Sequence, residues 1–122
     1  MNPTESEEAR ALARYLLILQ RMGKLLLYSH IPHETYTTSW AVKRRNVLEG
    51  VRMGVPDYIV IIGNKVLFIE LKRLKGGTVS AEQKEWITHL QGKETEARVC
   101  KGFDQAKAFI DEHLANPPQD YV

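Results

Sequence analysis

Asp57, Glu70 and Lys72 are the residues whose types and spacing could do chemistry in this chain. They punctuate the stretch G-V-P-D-Y-I-V-I-I-G-N-K-V-L-F-I-E-L-K, Gly54 to Lys72, which is otherwise apolar enough for a sheet interior. Charged groups at such positions are costly unless something pairs with them. Gly63-Asn64 is a two-residue hairpin signal between two strand-like runs, Asp57 to Ile62 and Lys65 to Lys72. With that turn, Ile62 faces Lys65, and counting outward sets Asp57 opposite Glu70. Opposed residues of an antiparallel pair hold their Cβ atoms roughly 4.5–5.5 Å apart. Two carboxylates at that distance repel unless a cation lies between them, and hard ions such as Mg²⁺ take carboxylate oxygens, water and substrate phosphates. Side chains alternate along a strand, so Val66, Phe68, Glu70 and Lys72 share one face while Leu67, Ile69 and Leu71 share the other. Lys72 therefore lies roughly 7 Å from Glu70 along the strand, where its ammonium could stabilise negative charge or orient an attacking water. A reading without chemistry stands beside this one: Asp57 opens a strand after Pro56, and Glu70 with Lys72 forms a surface pair. Cross-strand neighbours of like sign argue against it, although a register slip of one residue would undo the geometry.

Positioning these groups requires a particular set of elements. Pro3-Thr4-Glu5 opens a helix that runs to about Gln20 or Met22 and stops at Gly23. Leu25 to His30 reads as a strand, Pro32 to Thr38 as a loop, and Trp40 to Glu49 as a helix ended by Gly50. After the hairpin, Arg73 to Val79 with Gly76-Gly77 is a flexible loop. Ser80 starts a helix to about Gln91, Glu96 to Cys100 is a short strand, and Phe103 to Leu114 is a last helix with Phe103, Ala106, Phe109 and Ile110 on one side. The segment from 116 to 122 is a loop or frayed tail. The order α-β-(α)-β-β-α-β-α describes an α/β (α+β) domain, residues 1–122, around one mixed sheet of about four strands.

Composition sets the outer limits. The chain has 122 residues, 43% hydrophobic and 26% charged, enough for one core and ordinary for a folded protein. Its single cysteine, Cys100, excludes an internal disulfide and a cysteine-based zinc site, and is read as a small buried hydrophobe. No apolar stretch approaches the roughly 20 residues of a membrane span, and the acidic Glu5, Glu7 and Glu8 do not suit a signal peptide. A cytoplasmic, non-secreted location with no membrane partner is the expectation. The net charge of +2 does not by itself argue for nucleic acid. Yet Lys43, Arg44, Arg45 and Arg52 precede the hairpin and Arg73 and Lys75 follow it, a positive zone suited either to a polyanion or to plain solvation.

Several residues carry two readings. Glu8 falls with Leu12, Tyr15 and Leu19 at i, i+4, i+7 and i+11, so it lies on the apolar stripe of the first helix and could bring a third carboxylate. Glu7, about 100° round the helix, belongs in solvent, and Glu5 stays open. Ser80-Ala81-Glu82-Gln83 is a capping box, in which Gln83 reaches back to the Ser80 amide. Lys43, Arg44 and Arg45 are either phosphate contacts or a solvated helix face. His30 and His33 are read as ordinary polar residues, with DNA contact by His33 as a further reading, rather than as a metal pair. Trp40 and Trp86 are read as core or interface.

Together these residues resemble a known family. G-V-P-D followed by E-L-K resembles the PD-(D/E)xK nuclease superfamily. With E-G-V-R-M-G-V-P-D ahead, S-A-E-Q-K-E-W behind, E-E-A-R-A-L-A-R-Y-L in the first helix and H-I-P-H-E after the first strand, the chain resembles the VRR-NUC (virus-type replication-repair nuclease) family over most of its length. The resemblance implies a restriction-endonuclease-like core. It implies Asp57 and Glu70 as metal ligands, with the Leu71 backbone carbonyl adding another, and Lys72 serving the attacking water. It implies site roles for Glu8, whether direct or through water, and for Gln83, which makes Gln83 a candidate for both tasks. The implied activity is Mg²⁺- or Mn²⁺-dependent hydrolysis of DNA phosphodiester bonds, with no organic cofactor. Compact stand-alone members of phage or bacterial type imply a homodimer that cuts branched DNA, notably four-way (Holliday) junctions, in DNA repair. The competing expectations are a monomeric flap or nicking nuclease and a non-catalytic DNA-binding module that keeps the fold.

Overall fold

The computed structural model describes residues 3–32 and 38–118. Most of the expected loop, His33 included, and the end of the tail lie outside them. Helix α1, Glu5–Arg21, is started by Thr4, which with Glu7 completes a capping box, and it ends at Met22 before Gly23 turns the chain at φ 74°. Strand β1 is Leu27–His30, shorter than its apolar run, because Leu25 turns inward and Leu26 reaches the sheet through one backbone bond to Ile61. Helix α2, Trp40–Leu48, is capped by Ser39. Strands β2, Tyr58–Ile62, and β3, Lys65–Lys72, form the hairpin; α3 is Ala81–His89, β4 Thr95–Lys101 and α4 Gly102–Asp111.

The sheet order is β1-β2-β3-β4, antiparallel for the first three strands and parallel between β3 and β4. The fold is thus a four-stranded mixed sheet with four helices among the described residues. In the hairpin Ile62 pairs with Lys65 and Tyr58 with Ile69, which is the register that the Gly63-Asn64 turn demands.

Strand phase then sorts the sheet into two faces. Tyr58, Val60, Leu67, Ile69, Leu71 and Cys100 point to one side and pack against Leu12, Tyr15, Leu16 and Leu19 of α1 and Ala106, Phe109 and Ile110 of α4. This is the core, and burial pushes the Cys100 thiol up to about 12, consistent with an inert buried group. Glu70 and Lys72 point to the other side, where α3 lies against β4. Helix α2 buries none of its residues. Trp40 is 71% exposed, so it is not a core residue, and its ring is instead overlaid by Arg44. No helix among the described residues is long and apolar enough to cross a membrane.

Candidate active site at the open end of the hairpin

Asp57 is held just before β2 by its own backbone and by the strand opposite. Its carbonyl accepts from the Ile31 N–H at 2.6 Å, which prolongs the β1–β2 alignment by one step beyond His30 and Tyr58. Its side chain turns across to β3, where Oδ2 accepts from the Leu71 N–H at 2.9 Å. The Asp57 carboxylate thus takes a place the backbone ladder would otherwise fill. This is why regular β2–β3 pairing stops at Tyr58 while β3 continues to Lys72.

Glu70 follows Ile69 on β3, one step beyond the last β2–β3 pair, and lies near enough to Asp57 to feel its charge. Only 3% of it is exposed. Its Oε2 accepts from Gln83 Nε2 at 3.0 Å and lies 3.5 Å from Lys72 Nζ. Its Oε1 is buried and has no hydrogen-bond partner among the described residues. Burial, then the Asp57 charge, push its pKa up to about 8, and Lys72 only partly opposes them. A carboxyl at sheet depth, beside a second carboxylate and with one oxygen unsatisfied, costs stability unless a proton or a cation completes it. A hard divalent ion suits this donor set, since every available ligand is oxygen.

Gln83 caps its own helix and also reaches Glu70. Its Oε1 accepts from the Ser80 N–H at 2.9 Å, and its own N–H donates to Ser80 Oγ at 3.1 Å, which completes the capping box of α3. The same amide points its Nε2 at Glu70. The cap fixes the rotamer, and the fixed rotamer aims the donor. Lys72 is held similarly: its side chain is 16% exposed, and Gly77 lies so near that a Cβ there would stand 3.1 Å from Lys72 Cβ.

The loop that carries Asp57 is fastened to α3 by a glycine and an indole. Gly54 has φ 88°, and a Cβ at that position would stand 2.6 Å from the Glu82 backbone carbon and 2.8 Å from Gln83 N. Only glycine permits both this backbone angle and this approach. Trp86 Nε1 donates to the Met53 carbonyl at 3.1 Å, so it is neither pure core nor a free stacking platform. Gly54 was legible as part of a motif, but its steric role was not, because the contact depends on how α3 returns to the loop.

Glu8 is placed differently. It is 7% exposed on the inner stripe of α1, and its Oε2 accepts from the Phe103 N–H in the first turn of α4. Lys101, the N-cap of that helix, offers no side-chain cap of its own. Glu8 therefore caps α4 from α1, where its charge also suits the positive end of the helix. Gly102, with φ 83°, leaves room for it: a Cβ there would meet Glu8 Oε2 at 3.4 Å. This tertiary cap was not visible in sequence, and it accounts for the burial of Glu8 independently of any chemistry. Glu5, on the same helix, lies near enough to Tyr58 to raise the pKa of its hydroxyl, behind the larger effects of burial and of Asp57.

Among the basic residues, Lys43, Arg44 and Arg45 are exposed on α2, and Arg52, Arg73 and Lys75 are exposed in loops. Lys101, which the sequence did not single out, ends β4 directly beside Lys72. Its place depends on the parallel β3–β4 pairing, for which the sequence carries no local signal. His30 stacks on Tyr58 with ring centroids 4.8 Å apart, an ordinary packing role.

The VRR-NUC domain model matches residues 7–104, a span that contains Asp57, Glu70, Lys72 and Gln83. A comparison with curated proteins gives no match. Among solved structures, a protein described as a VRR_NUC domain protein superposes with a TM-score of 0.65 at 24% identity, over 93% of this chain and 89% of that one, and supports the fold. On the match to its domain model, this chain belongs to the VRR-NUC domain family, a family of nucleases.

Proposed function

We propose that the protein is a metal-dependent DNA endonuclease whose centre is built from Asp57, Glu70, Lys72 and Gln83. The observation that carries this reading is the unsatisfied Oε1 of buried Glu70, set beside Asp57 while Oε2 is held by Gln83 and Lys72. Asp57 and Glu70 would hold Mg²⁺ or Mn²⁺, with the Leu71 carbonyl as a further ligand. The bound ion would supply Lewis acidity toward a phosphate oxygen and lower the pKa of water. Lys72 stands beside Glu70, where its ammonium orients a water and stabilises charge gathering on the phosphate. Gln83 fixes the rotamer of Glu70 so that its second oxygen stays available. Glu8 caps α4 from α1, and the role proposed for it at this centre is a direct or water-mediated contact with the ion.

Lys43, Arg44, Arg45, Arg52, Arg73 and Lys75 would contact phosphates without reading sequence, as recognition of DNA shape requires. Branched DNA, with the four-way junction foremost, is the proposed substrate, and a homodimer is the proposed assembly. Support for self-association comes from Trp40, Val47, Leu48 and Met53, large apolar side chains left exposed on and just after α2. A cytoplasmic site of action accords with DNA as substrate.

The test is cleavage of synthetic four-way junctions, flaps, nicked and intact duplexes, with Mg²⁺ or Mn²⁺ and with chelator, alongside light scattering. Junction cleavage that requires the metal and is lost in Glu70→Ala supports the proposal. Cleavage undiminished in chelator refutes it. A monomer that prefers flaps selects the flap-nuclease reading. Salt-sensitive junction binding without turnover selects the binding module.

A further inference from the structure

A second cluster of ligating groups lies on the opposite face of the sheet from Glu70, near the start of β4. Glu96 and Arg98 project from β4 toward α4, because they share the face of Leu67 and Ile69, their parallel partners. Helix α4 follows β4 without a linker and runs back along it, so its C-terminal end, Glu112 and His113, returns to the level of Glu96. One ligand atom from each of Glu96, Glu112 and His113 lies within 4.8 Å of the others.

Three observations raise this cluster above a surface salt bridge. First, the His113 side chain is only 10% exposed, held edge-on to Phe109 with centroids 5.5 Å apart, and its Nε2 is buried with no hydrogen-bond partner among the described residues. Second, that nitrogen lies 3.5 Å from Glu96 Oε1, too far for a good hydrogen bond. It is the separation of neighbouring donors on one tetrahedral ion, roughly 3.3–3.5 Å for bonds of about 2.0–2.2 Å. Third, Arg98 organises the carboxylates without closing the site. It bonds Glu96 through Oε2 at 2.8 Å and both oxygens of Glu112 at 2.9 and 3.0 Å, which leaves Glu96 Oε1 clear. Glu96 and Glu112 share the single Arg98, beside the negative end of the α4 dipole. A cavity of about 30 Å³, bordered by Glu96 and His113 and also by Lys65, Lys93 and Glu94, is large enough for water to complete a coordination shell.

We propose that His113 Nε2 and Glu96 Oε1, with Glu112 as a third ligand, form a second cation site that takes a borderline divalent ion of the Zn²⁺ class. An imidazole nitrogen among carboxylates favours such an ion over Mg²⁺, which prefers an all-oxygen shell. The ion would tie the start of β4 to the end of α4, remote from the nuclease centre, and this site does not rest on the nuclease reading.

Calorimetric titration of the Glu70→Gln chain with Zn²⁺ isolates the site, since the other centre then lacks a ligand. One saturable equivalent is expected, absent for Mg²⁺, together with a rise in melting temperature on adding Zn²⁺. Adding His113→Gln should abolish both signals, and adding Glu96→Gln should weaken binding at least tenfold. Glu96 is the more exposed of the two, so its variant serves if His113→Gln fails to fold. No saturable Zn²⁺ binding, or binding unchanged by both substitutions, overturns the proposal. Junction cleavage in Mg²⁺ by His113→Gln in an otherwise unaltered chain reports separately on the nuclease centre.

Discussion

Glu70 should make the metal-free protein lose stability as the pH rises, the reverse of what an ordinary surface carboxylate does. Its pKa stands near 8 in the fold against 4.5 for the ordinary group. Between those limits the folded chain keeps a proton that the unfolded chain has released. Stability is therefore full below about pH 4.5 and falls as pH climbs toward 8. Across the whole interval the loss is about 5 kcal/mol, of which about 2 kcal/mol falls between pH 6 and pH 8. For a domain of this size that corresponds to a melting temperature roughly 6–10 °C lower at pH 8 than at pH 6. Glu70→Gln is neutral at every pH, can still accept from Gln83, and removes the like charge beside Asp57. The assay is thermal unfolding in chelator at pH 6, 7 and 8, with both chains side by side. The unaltered chain should drop steeply while Glu70→Gln stays comparatively flat and overtakes it near pH 8. Adding Mg²⁺ or Mn²⁺ at pH 8 should restore the unaltered chain and leave Glu70→Gln unmoved, because the cation replaces the proton. Parallel pH profiles for the two chains, or greater stability at pH 8 than at pH 6, would refute the reasoning.

Other expectations concern the surroundings of that carboxylate. Gln83→Ala should lower cleavage 10- to 100-fold and raise the metal requirement, whereas Ser80→Ala, which removes only the cap, should cost about 1 kcal/mol on melting with a smaller kinetic effect. Lys72→Ala should reduce the cleavage rate by about 10²–10³ with the chain still folded by circular dichroism. Gly54→Ala must move α3 or its own loop, so a loss of about 2–3 kcal/mol and most of the activity is expected in denaturant melts and cleavage assays. Glu8→Ala should cost about 1–2 kcal/mol through the lost cap of α4; an activity loss persisting well below the melting temperature would instead give Glu8 a place in the chemistry.

Legibility in the sequence followed the distance over which each contact is made. Asp57 and Glu70 each lie one residue beyond the last pair, Tyr58 with Ile69, of a hairpin with a two-residue turn, so their nearness could be counted residue by residue. Gln83 was legible for the same reason, since its capping box is contained within four residues. The role of Glu8 was half legible: periodicity placed it inward, but its partner, Phe103, belongs to a helix at the other end of the chain. Lys101 beside Lys72, and Glu96 beside His113, depend on a parallel strand and a helix folding back, neither of which leaves a local trace. Gly54 shows the intermediate case, a residue recognisable in a motif whose reason is a steric contact with a helix still to come.

Helix α2 has a thermodynamic consequence for any partner of this protein. Its nine residues bury no side chain, and isolated helices shorter than about 12–15 residues are marginal in water. Its amides should exchange with solvent far faster than those of β3, which is paired on both edges. Whatever docks on Trp40, Val47 and Leu48 must therefore hold the helix in place as it binds. Part of the apolar contact is then spent on conformational entropy, so the complex should be weaker, and its association enthalpy more favourable, than the buried area alone would suggest.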